Sequence, residues 1–169
     1  MRKTADVFRS RDAASPGMSD PTVVELSTTA GTQLLIQDAW ARVSDPTLPM
    51  AGDEKTLVQG GWLPGHSPRP GALTYCIRKE PGDRLAGSFQ QVVVWEPPTR
   101  LVLRDLTSSD QAVSEVEWTL WERPVEVSVR CTLRVHVLVP AADGVLNRLR
   151  VEVEERVAEM ARKLPPSLI

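Results

Sequence analysis

The stretch "VEVSVRCTLRVHVLVP", Val125–Pro140, decides how the rest of the chain is read. Its odd positions Val125, Val127, Val129, Cys131, Leu133, Val135, Val137 and Val139 are all apolar. The even positions Glu126, Ser128, Arg130, Thr132, Arg134 and His136 are polar or charged, and only Leu138 departs from the alternation. Successive side chains of an extended chain point to opposite faces, so a period of two specifies a strand with one dry side and one wet side. At roughly 3.3 Å per residue the stretch would reach about 50 Å, more than twice a common strand. So long a dry face requires an equally long apolar partner.

The C-terminus supplies it. Asp143 suits a helix N-cap, and beyond it Leu146, Leu149, Val153, Val157, Met160 and Leu164 recur every three or four residues. Glu152/Arg156 and Glu159/Lys163 are i,i+4 pairs on the other side, Arg162 and Lys163 suit the helix dipole, and Pro165-Pro166 ends the run. Burying six such side chains contributes about 9–18 kcal/mol as an upper bound. Surface pairs cannot compete with that, so the helix must lie on the sheet.

Upstream, "TVVELSTTA" (Thr22–Ala30) reads as a first strand ending at Gly31. The period then changes: Ile36, Ala39, Trp40 and Val43 form a helical stripe that Asp45-Pro46 stops. A short helical turn is a further reading for Pro46–Glu54. From Lys55 the segments "KTLVQGGW", "ALTYCIRKE", "RLAGSFQQVVVWE", "RLVLRDL" and "VSEVEWTLWE" are strands separated by short turns, which predicts an antiparallel meander. Strand, helix, six strands and a long helix make an α+β domain over residues 21–169, with residues 1–20 a flexible extension.

The bulk properties narrow the class further. A chain of 169 residues with 41% hydrophobic and 25% charged residues has a globular composition. A net charge of −2 gives no electrostatic reason to expect nucleic acid, and no apolar run is long enough for a membrane span. Cys76 and Cys131 lie in separate strands without motif spacing and read as buried reduced thiols. The basic N-terminus lacks the apolar segment of a secretory signal, so the expected location is cytoplasmic. No G-x-S-x-G, G-x-G-x-x-G, H-E-x-x-H or EF-hand pattern is present, and neither a metal site nor a nucleotide cofactor is expected.

Three features together resemble the START-like or Bet v 1-like (SRPBCC) superfamily, in its polyketide cyclase/dehydrase-like branch. They are the opening "VVELSTTAG…LLIQDAWARVSDP", the phrase "VVVWEPPTRLVLRD", and the long last strand leading into the terminal helix. The resemblance covers about Thr22 to Leu164. It implies a helix-grip fold: a curved seven-stranded antiparallel sheet wrapped around the long C-terminal helix, with an apolar cavity between them. Members bind lipids, sterols or polyketides, and some are cyclases or dehydratases. The turn "GGWLPGHSPRPG" departs from the glycine-rich loop of the plant allergen branch.

Within such a cavity, acid/base work or enolate stabilisation needs an inward polar group. Tyr75, the only tyrosine, faces inward if Leu73 and Ile77 do, and could donate to a ligand carbonyl; the alternative is a core tyrosine bonded to backbone. His66, beside Ser67 in a turn, is a candidate at the cavity mouth or a solvated turn residue. Arg104 would anchor a ligand if it points inward, since Leu101/Leu103 and Val102/Leu106 are both apolar sets. One of Gln90 and Gln91 should face the cavity. Trp62, Trp95, Trp118, Leu120, Leu133, Val153, Val157 and Met160 are the expected lining, between the terminal helix and the long strand. Glu115, Glu117 and His136 belong to the solvent face. The expected partner is a small hydrophobic molecule, polyketide- or lipid-like. Cofactor-free cyclisation or dehydration, passive carriage and protein interaction all remain open as roles.

Overall fold

The decisive strand is shorter than its alternation and lies second from one edge of the sheet, between β1 and β6. The computed structural model describes residues 22–46, 57–107, 112–138 and 143–162. Residues 1–20, the turn expected after Pro46, the 108–111 loop, Val139, Leu164 and the side chains of Val157 and Met160 lie outside the described residues. Strand β7 runs Val127–Val137, after a turn in which the Arg123 N–H donates to the Glu126 carbonyl at 2.8 Å. Val125 belongs to that turn and is 79% exposed, contrary to the expectation that it faces the core. Inside β7 the pattern holds: Val127, Val129, Cys131, Leu133, Val135 and Val137 are all buried.

Eight further elements surround it: β1 (Thr22–Thr32), α1 (Ile36–Val43), β2 (Leu57–Trp62), β3 (Leu73–Glu80), β4 (Arg84–Glu96), β5 (Arg100–Asp105), β6 (Ala112–Glu122) and, last, α2 (Asp143–Arg162). The seven strands form one antiparallel sheet in the order β1-β7-β6-β5-β4-β3-β2. β1 continues through Gly31 to Thr32, where the Glu126 carboxylate covers the glycine so closely that a Cβ would collide with it. α2 packs on β1 and β7, with Val153 fully buried and Leu149 against the core. α1 packs over β6, burying Ile36, Ala39 and Trp40. It ends where Ser44 donates both its N–H (2.9 Å) and its hydroxyl (2.7 Å) to the Trp40 carbonyl. This is the helix-grip arrangement, a curved sheet closed over its C-terminal helix.

The convex side of β1, β7, β6 and β5 carries a lattice of charge. Glu117 accepts from Arg100 (2.8 Å) and Arg134 (2.6 Å), and Arg134 also reaches Glu25. Arg104 pairs with Glu115 at 2.7 Å, and His136 lies 3.8 Å from the same carboxylate. Partial burial alone would raise the Glu117 pKa, but the hydrogen bonds and positive charges of Arg134 and Arg100 outweigh it and hold the carboxyl below the usual value. Burial likewise opposes, and the bonds to Glu117 and Glu25 reverse, the shift at Arg134, whose pKa is raised. Beyond this lattice, the Trp121 ring takes the guanidinium groups of Arg123 and Arg130 at 5.7 and 5.4 Å.

Candidate functional site

The concave side of β2–β5 does not close fully. A crevice opens there, lined by Val43, Ser44, Asp45 and Pro46 from the end of α1 and by side chains of four strands. Its space is about 430 Å³ counting the open mouth, and it leaves only about 20 Å³ for the centre of a water-sized molecule. That is room for about one water.

Strand register determines which side chains line it. Thr74 of β3 lies between Trp62 of β2 and Gln90 of β4, and Cys76 pairs with Ser88. Thr74, Cys76, Arg78, Ser88 and Gln90 therefore share the concave face and form a polar wall. Arg78 Nε donates to Cys76 Sγ at 3.4 Å along that wall. A bulge in β4 then changes the parity: Val92 pairs with Leu103, yet Trp95, three residues on, pairs with Leu101. The extra residue turns Trp95 inward beside Leu101 and Leu103, giving the crevice an apolar wall. There Trp95 meets Trp40 and Trp62 edge-on, with ring centroids 5.2 and 5.8 Å apart.

Several expected site residues lie elsewhere. Tyr75 is on the convex face, because Thr74 and Cys76 on either side of it point inward. Its ring packs against Gly61 of the edge strand β2, and its hydroxyl accepts from Gln59 Nε2 at 2.9 Å. His66 is tied down by its own loop, Nδ1 accepting the Leu73 N–H at 3.0 Å. Arg104 points outward to Glu115, because Leu101 and Leu103 take the inner positions of β5. Trp118, Leu120, Leu133 and Val153 are concave-side but buried in the core rather than on the crevice. The crevice lies beside α1. Trp62, Trp95 and Gln90 do come together in it.

The residues that sequence reasoning missed are Thr74, Cys76, Arg78 and Ser88, together with the α1 terminus. In "LTYCIRKE" the odd set Leu73, Tyr75 and Ile77 is the more apolar, and so the pattern points it at the core. Register alone reverses that assignment, by setting Thr74 opposite Trp62. Among the described residues, no group of three His, Cys, Asp or Glu side chains is placed to hold a metal, and no helix is long and apolar enough to cross a membrane.

No protein-family model matches this sequence, and no curated protein matches it in sequence. Solved structures do match in three dimensions. The crystal structure of Ara h 8.0201 superposes with a TM-score of 0.60 over 83% of this chain and 97% of its own, at 10% identity. The chain has the Bet v 1-like fold. An uncharacterised protein from Rhizobium leguminosarum gives a TM-score of 0.56 over 83% of this chain and 95% of its own, at 15% identity. The di-domain ARO/CYC StfQ of the steffimycin biosynthetic pathway gives 0.58 over 84% of this chain, at 10% identity, and the match spans 50% of that longer protein. At these identities the likeness establishes the fold alone.

Proposed function

We propose that this protein binds a small amphipathic molecule, with an apolar ring or chain and a polar end, in the crevice between the end of α1 and strands β2–β5. One observation carries the reading: β3 and β4 turn Thr74, Cys76, Arg78, Ser88 and Gln90 toward the interior. A sheet that had only to cover a core would place Leu73, Tyr75, Ile77 and Phe89 there instead. Opposite the polar wall, Trp62, Trp95, Leu101 and Leu103 offer a surface on which a ring can stack. The fold shared with an ARO/CYC protein and with Ara h 8.0201 supports a polyketide- or lipid-like body for that molecule.

Pockets for drug-sized ligands run to about 300–1,000 Å³, so binding must part the crevice walls. Edge strand β2, which among the described residues pairs only with β3, and the end of α1 are the walls best placed to move. Binding is favoured over cofactor-free cyclisation or dehydration, because Tyr75 and His66 both lie outside the crevice. The test is native mass spectrometry of protein purified from its own host. A stoichiometric small molecule is expected. If none is retained, and no compound of a hydrophobic library raises the melting temperature, the proposal fails.

A further inference from the structure

Trp118 is a buried polar group that neither the core nor the convex lattice explains. It is 5% exposed on the concave face of β6, and its Nε1–H has no hydrogen-bond partner among the described residues. A buried donor without an acceptor is uncommon and costly, and an apolar side chain would fill the position without that cost. Trp118 pairs across the sheet with Cys131 of β7 and with Leu101 of β5, and Leu101 in turn pairs with Trp95. The row Cys131–Trp118–Leu101–Trp95 therefore leads from the dry core to the lining of the crevice. α1, which carries Trp40 against Trp95, packs over this same strand.

We infer that the Trp118 indole N–H is the hydrogen-bond donor for the inner end of the bound molecule, and that this end carries an uncharged acceptor such as a ketone, quinone or lactone carbonyl. The inference rests on the crevice being a binding site. Neutrality follows from its described neighbours on β5, β6 and β7: Val116, Leu120, Leu101 and Cys131 offer no cation, and a buried anion beside them would be uncompensated. The charged and amide groups, Arg78 and Gln90, belong to the outer polar wall. Ligand order is then carbonyl inward, ring against Trp95 and Leu101, and the more polar end beside β3.

A matched pair of probes separates these claims. The full chain, 15N-labelled at tryptophan, has five indole resonances, and loss of one in Trp118→Phe assigns that of Trp118. If that variant does not fold, through-space contacts in the wild-type spectrum give the same assignment. Titration with 1-indanone is expected to move the Trp118 indole proton downfield in a saturable way, while indane, the same rings without the carbonyl, leaves it nearly unmoved. Folded Trp118→Phe should lose roughly a five- to tenfold preference for the ketone, the factor one neutral hydrogen bond supplies. If indanone shifts the Trp62 and Trp95 resonances but not that of Trp118, the donor assignment is wrong while the crevice stands. If neither probe shifts any indole resonance, the crevice reading fails and this inference falls with it.

Discussion

The two halves of the sheet obey opposite rules. In β1, β7 and β6 the concave face is apolar and the convex face is charged, as packing against α2 demands. In β3 and in β4 up to Gln90 the concave face is polar, and Tyr75, Ile77 and Phe89 face outward, Phe89 being 45% exposed. One continuous hydrogen-bonded sheet thus contains a half selected for packing and a half whose polarity packing does not explain. A site is where such local rules are expected to give way. The inverted half is also the half with the crevice, and the proposed binding site rests on that coincidence.

This contrast also sets what the sequence could reveal. β7 was legible because both of its neighbours bury the same parity, so Val127–Val137 obeys one strong rule. α1 was legible from Ile36, Ala39 and Trp40, and its end from Pro46. The inner face of β3 was not, since the rule that apolar residues point inward gives the wrong face there. Nor was the orientation of Trp95, which depends on a bulge that no local residue preference announces. Arg104 was ambiguous for a related reason: Val102 is 5% exposed on the convex side, where Arg100 and Arg104 flank it, so each face of β5 carries a buried apolar residue.

Substitutions in the two halves should behave differently. The largest effect is expected at Leu133→Ala in β7, where the removed side chain is 2% exposed between β1 and β6. It should cost about 2–5 kcal/mol, read as a lower urea midpoint. Next comes Glu117→Gln, which leaves Arg134 and Arg100 without their shared carboxylate and should cost about 1–2 kcal/mol after allowance for the partly exposed arginines. The sign of its pH dependence follows from the lowered pKa of Glu117. The folded state binds fewer protons there than the unfolded chain, so the stabilisation is complete above the ordinary value of 4.5 and is lost as pH falls through the folded value. Denaturant titrations between about pH 3 and 6 should show a flatter acid limb for the variant.

On the inverted half the expected stability effects are small. Gln90→Leu should change unfolding free energy by less than about 0.5 kcal/mol in either direction, while weakening binding of a ligand whose polar end meets that wall. A large loss of stability in Gln90→Leu would show that the polar wall is structural, and the contrast between the halves would lose its functional meaning. Tyr75→Phe should do least. It removes one exposed hydrogen bond from Gln59, keeps the ring over Gly61, and should leave both ligand binding and any turnover unchanged.

The most direct test of the inverted half as the binding site is a crystal structure of the protein soaked with 1-naphthol, whose rings and hydroxyl match the two walls. The account predicts density between Trp62, Trp95 and Leu101 on one side and Thr74, Ser88 and Gln90 on the other, with edge strand β2 or the end of α1 displaced. Density against α2 and β7, or on the convex face beside Tyr75 and Phe89 with the crevice unchanged, would contradict it.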